Sequence, residues 1–146
     1  MANSLELEKR ISTTNDAGLV AMLFERMVEN FTSCISAINE KVYSRIYELN
    51  NNTRAILAEL IVQFNGEDEI STSLRDIYIY INKLITEGEI KKDPSIFETC
   101  ITIIRPICEA FQELEVREEP KAVTGLTYGK NSLNEHIIKG DKNFEG

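Results

Sequence analysis

The sequence has one histidine and no tryptophan. The histidine, His136, lies near the C-terminus, outside the periodic part of the chain. Di-iron helical bundles need Glu-x-x-His pairs on facing helices, and haem bundles need axial histidines. Neither set can be assembled here. Cysteine is scarce and odd in number: Cys34, Cys100 and Cys108 form no C-x-x-C pair and sit among apolar residues. That pattern reads as buried thiols in a reducing cytosol. No histidine base within the periodic part can activate one of them, so a Cys–His nucleophile is not expected. The phosphate loop G-x-x-x-x-G-K-[ST], the dinucleotide turn G-x-G-x-x-G and the nucleophile elbow G-x-S-x-G are all missing. We expect no catalytic residue, metal ligand or cofactor.

Basic residues are also few. Sixteen Lys and Arg face twenty-four Asp and Glu, for a net charge of −8. Nucleic-acid binding needs a basic face that releases counterions from phosphates. No such cluster occurs, and an anionic membrane surface would repel the chain. No run approaches 18 apolar residues, so no membrane insertion is expected. The first residues lack an apolar core, so a signal peptide is not expected and the cytoplasm is the expected location.

What is present is helical periodicity over a length that suits one domain, 146 residues. The first segment, 16–39, repeats Leu19, Leu23, Met27, Cys34 and Ile38 on one face, with Asn15 or Asp16 as N-cap. The second, 42–64, carries Ile46, Leu49, Thr53, Leu57, Leu60 and Phe64. It stops at Asn65-Gly66, where Gly66 suits a left-handed turn. The third, 71–87, carries Leu74, Ile77, Ile81 and Leu84, and Gly88 is expected to close it. The fourth, 94–117, opens on Asp93-Pro94, an acid N-cap and a proline at the first helical position. It carries Phe97, Cys100, Ile104, Ile107, Phe111 and Leu114. Pro106 inside it predicts a kink. The expected fold is therefore all-α: an antiparallel up-down four-helix bundle over 16–117. Residues 1–15 form an N-terminal arm, with a short helix open to it, and 118–146 an irregular C-terminal tail. Leu133 and Ile137 of the tail stand one helical turn apart.

The helices carry more apolar residues than one stripe requires. In the first, Phe24, Val28, Phe31 and Ile35 recur at i, i+4, i+7 and i+11, a second stripe about 100° round from the first. In the second, Val62 points off the Leu57/Phe64 face, flanked by Tyr47 and Ile61. In the third, Ile79 points away from Ile77 and Ile81, with Tyr78 beside the core and Tyr80 nearby. Two readings are open. The extra rows are broad buried faces between neighbouring helices, or they line a groove for an amphipathic partner helix. The tyrosines suit an interface, being large, stiff and tipped with a hydroxyl. The candidate partner-binding residues are Phe24, Val28, Phe31, Tyr47, Ile61, Val62, Tyr78, Ile79 and Tyr80.

From Ile11 to Leu114 the order of these features resembles the FliS family of flagellar export chaperones. The segment Ile11–Leu19 falls where that family has V-x-T-A-x-P-x-x-L. Leu19-Val20-Ala21-Met22-Leu23-Phe24 is similar to its L-x-x-M-L-Y. Ile70-Ser71, Leu74 and Ile77-Tyr78-Ile79-Tyr80 are similar to its third helix, and Asp93 to the acid opening its fourth. Asp16 replaces the family proline, Phe24 a tyrosine and Phe111 a frequent tryptophan, while a tyrosine common in the family's arm falls at Glu6. The resemblance implies a cytosolic chaperone. It would bind the disordered C-terminal region of flagellin in an apolar groove, prevent premature polymerisation and aid delivery to the export gate. The alternatives are a homo-oligomeric structural bundle, with the oligomeric state left open, or a chaperone for another flagellar export cargo.

Overall fold

The computed structural model describes residues 4–117. His136 and the tail residues Leu133 and Ile137 lie outside them. Five helices follow in order: α1 (Ser4–Thr13), α2 (Asp16–Asn39), α3 (Tyr43–Gln63), α4 (Glu69–Lys91) and α5 (Pro94–Arg117). No strand occurs among the described residues, and their regular structure is all helical. No helix among them is long and apolar enough to cross a membrane. Two compact units divide the described residues, 23–108 and 4–22 with 109–117.

The larger unit is built on α3 and α4, with most of α2 and α5. Polar pairs fix its register. Asn30 of α2 donates to Asn52 and Thr53 of α3, and Cys34 to Asn50. Asn50 in turn donates to the Ile85 carbonyl of α4 at 3.0 Å. The Arg54 guanidinium forks onto both oxygens of Glu89, at 3.1 and 3.0 Å. Partner numbers fall along α3 as they rise along α2, so these two run antiparallel. Arg75 early in α4 reaches the Phe64 carbonyl at the end of α3 while Ile85 meets the earlier Asn50, so α3 and α4 do too. Asn50 is fully buried, and a buried amide is tolerable only because both its ends are satisfied.

Around these pairs lie Phe24, Met27, Phe31, Ile46, Leu60, Phe64, Tyr78, Ile81, Ile85, Phe97 and Ile104, all fully buried or nearly so. Each such side chain contributes about 1.5–3 kcal/mol of burial.

The helix ends follow local chemistry, with two corrections to the sequence reading. Gly88 does not close the third segment; α4 continues to Lys91. Gly88 is instead a contact point, since a Cβ there would stand 2.6 Å from the Phe97 ring. The left-handed residue that ends α4 is Lys92, φ 50°. Gly66 likewise is not left-handed. The α3 end is closed by Arg75, which donates to the carbonyls of Phe64 and Gly66 at 2.8 and 2.5 Å. The start of α4 lies two residues earlier than expected, because Asp68 caps it by accepting from the Ser71 N–H. That hydrogen bond, ahead of a smaller opposing effect of burial, holds the Asp68 carboxyl below its ordinary range. α5 runs unbroken through the exposed Pro106.

The smaller unit centres on one carboxylate. The arm is helical, as α1, and ends where Asn15 caps α2 by accepting from Gly18 N–H at 2.9 Å. Arg10 donates to Glu115 of α5 through Nε at 3.3 Å and Nη2 at 2.6 Å. Thr14 donates to the same carboxylate, and Asn15 to the Glu115 carbonyl. Burial pushes the Glu115 carboxyl up, but the hydrogen bonds from Arg10 and Thr14 and the Arg10 charge outweigh it and hold it low. Thr14, Asn15, Asp16, Ala17, Val20, Ala21 and Phe111 are buried, while Leu7 and Ile11 of α1 and Val116 of α5 stay exposed.

Candidate partner-binding surface

The nine candidate residues separate by burial. Phe24, Phe31 and Tyr78 are completely buried and offer no surface to a partner in this conformation. The second stripe of α2 therefore serves the core, because that helix packs on more than one side. Val28 and Ile61 are half-buried. Tyr47 is 49% exposed, Val62 56%, Ile79 63% and Tyr80 49%. All nine lie in the larger unit.

Helical geometry sorts the exposed ones further. On α3, Tyr47, Asn51, Ala55, Ala58 and Val62 are all exposed. At 100° per residue they occupy an arc of about 80°, and Tyr47 to Val62 spans about 22 Å of axis. The side chains that bind α4 (Arg54) and pack inward (Asn50, Leu57) lie to one side of this arc. On α4, Ile79 and Ile90 point within about 20° of each other, with Lys83 between them; Thr86 and Glu89, the partners of Arg54, lie on the α3 side. The α3 arc and the Ile79/Ile90 row thus flank the same α3–α4 seam on its outer side. Val62 and Ile79 fall at one end of it, Tyr47 and Ile90 at the other. Small alanines lie midway along α3. Tyr80 stands about 100° round α4 from Ile79 and is not part of this face.

The surface is lined mostly by apolar side chains and is long enough for about four turns of a helix laid along it. Its polar centre is the Arg54–Glu89 pair, already satisfied by Asn51, Thr86 and each other. Ile90 is 73% exposed and was not singled out from the sequence. Its signal was there: it repeats the Ile79 position eleven residues on. Val42, also exposed, was read only as a helix start.

The thiols sit apart from this face. Burial, with a smaller push from the Glu89 charge against the pull of Arg45, raises Cys34 to about 12. Burial and the neighbouring Cys34 raise Cys100 to about 12. Cys108 is buried as well. Burial also raises Tyr78 well above the ordinary phenol range. Its hydroxyl makes no hydrogen bond among the described residues. No group of three or more His, Cys, Asp and Glu able to hold a metal ion occurs among them.

Against known families, the model described as flagellar protein FliS matches residues 1–118. Curated proteins gave no match.

Proposed function

The chain belongs to the flagellar protein FliS family, and from that premise we propose that it is a cytoplasmic export chaperone for flagellin. Its α2–α5 segment acts as an antiparallel four-helix bundle that takes up the C-terminal region of flagellin as that region becomes helical. The bound segment is kept from polymerising and handed to components of the export gate. The activity is binding, with no catalytic step. The observation that carries this reading is the family match over most of the chain.

The exposed face along the α3–α4 seam supports it in kind. A helix docks through anchors at i, i+3, i+4 and i+7, and Tyr47, Ile61, Val62 and Ile79 offer apolar surface at that scale. Val28 and Tyr80 lie outside this seam and would serve a segment that wraps further round. Phe24, Phe31 and Tyr78 reach a partner only if the helices part.

Calorimetric titration with a flagellin C-terminal segment, with circular dichroism before and after, tests the proposal. Binding with a gain of helix and a large negative heat-capacity change is expected for coupled folding. No binding, together with a stable concentration-independent oligomer in light scattering, would favour a structural bundle. Binding of a hook-associated protein in place of flagellin would change the cargo and keep the rest.

A further inference from the structure

Tyr78 poses a physical problem that the core does not solve. Its side chain has no exposed surface, and its hydroxyl has no hydrogen-bond partner among the described residues. A buried, unpaired hydroxyl is costly, and such groups in native proteins ask for an explanation. Phenylalanine would fill the same volume without the cost. The aromatic neighbour is Phe24, with ring centroids 6.3 Å apart and planes tilted by 40°; it gives the ring a contact but the hydroxyl no acceptor. The buried amides of this unit are satisfied: Asn50 reaches the Ile85 carbonyl and Asn30 reaches Thr53. One other buried side-chain oxygen lacks a partner among the described residues, Ser71 Oγ at the start of α4; Tyr78 is the one set beside exposed apolar surface.

Its place in α4 adds a second observation. The next residue, Ile79, is among the most exposed apolar side chains of the chain, and Tyr80 after it is also exposed. Ile77 before it is half-buried. Tyr78 thus sits directly behind surface that a partner would cover, on the same turn of helix. Its hydroxyl reaches a bound chain only when α4 parts from its neighbours at that turn.

We propose that the Tyr78 hydroxyl is a hydrogen-bond donor kept unpaired in the free protein and satisfied by an acceptor oxygen of the bound flagellin segment. The inference rests on the flagellin reading. It makes Tyr78 a specificity residue: the free state is held slightly below its attainable stability, and the partner relieves that penalty on binding. An apolar helix lacking a carbonyl or carboxylate oxygen at that point leaves the penalty in place.

The test is Tyr78→Phe in the full chain, with two readouts. Thermal unfolding gives stability, and calorimetry with the flagellin C-terminal segment gives affinity. The expected result is a raised Tm with affinity reduced by at least about fivefold, the worth of one hydrogen bond. A purely structural tyrosine would show a lowered Tm, which overturns the proposal. Unchanged affinity of Tyr78→Phe beside tight wild-type binding also overturns it and leaves the chaperone reading intact. Failure of the wild type itself to bind removes the flagellin reading and this proposal together.

Discussion

Gly88→Ala sets two opposing effects against each other. Alanine in a helix is favoured over glycine by about 1 kcal/mol, and Gly88 lies inside α4. On propensity alone the variant would be more stable. The structure says otherwise. A Cβ at Gly88 would stand 2.6 Å from Cε2 and Cζ of Phe97 and 3.3 Å from its Cδ2. The Phe97 ring is fully buried, so it cannot swing into solvent to make room. Overpacking of this kind costs about 1–3 kcal/mol. The net expectation is a loss of about 0–2 kcal/mol, read as a lower urea midpoint at unchanged slope. The cause is isolated by Phe97→Leu. With the ring gone, Gly88→Ala should turn neutral or stabilising, by up to about 1 kcal/mol. A double-mutant cycle should therefore show coupling on the order of 1–2 kcal/mol between positions 88 and 97. If Gly88→Ala stabilises the wild type and the two changes simply add, the close packing of α4 on α5 at this point is refuted.

Other consequences are equally direct. Glu115→Gln should destabilise the protein by about 1 kcal/mol at neutral pH, a figure kept low because the pair is partly solvated. Because the folded carboxyl is held low, its contribution is present above the ordinary glutamate range and lost as pH falls through the folded value. Urea titrations at stepped pH should show the wild type losing its advantage over Glu115→Gln in that acid window. Lys41 and Lys92 both adopt left-handed backbone, φ 62° and 50°. Lys41→Gly should stabilise by about 1 kcal/mol. Lys92→Gly should gain less, because Lys92 Nζ lies 5.2 Å from the Tyr43 ring centroid, a contact worth about 0.5–1 kcal/mol. Chemical denaturation of both variants measures the difference. With Cys34 and Cys100 raised to about 12, their thiols are neutral at pH 7. A thiol reagent should label them only as fast as the protein opens, and label all three at once in denaturant.

The long helices were legible because caps and periodicity agreed. Asn15, Asp93-Pro94 and the 3–4 spacing of α2 and α5 place both helices at their observed bounds. The two glycine assignments, at 66 and 88, fail for one reason: backbone freedom is the only signal glycine gives in sequence, whereas at 88 its missing side chain is what matters. Local sequence cannot announce that Phe97 will press there. The faces were harder still. Leu19 and Leu23 fit the first stripe of α2 yet are half-buried, while Phe24 and Phe31 from the second are fully buried. Periodicity fixes the angle between two stripes but not which of them meets a neighbour. Ile79 and Val62 were readable as outward-pointing because they break the pattern of their own helices. The Glu115 cluster was invisible for a different reason. Arg10 and Glu115 are 105 residues apart, and no spacing rule links them.

That pairing also brings the two ends of the described chain together. Arg10 and Glu115 meet at 2.6 Å, so α1 near one end of the described residues touches α5 near the other. A short flexible linker could join position 4 to position 117, with new termini cut at the exposed Glu67, past the Gly66 carbonyl that Arg75 holds. Such a permutant would separate two properties the natural order keeps together. The order of synthesis would change, and the packed core would not.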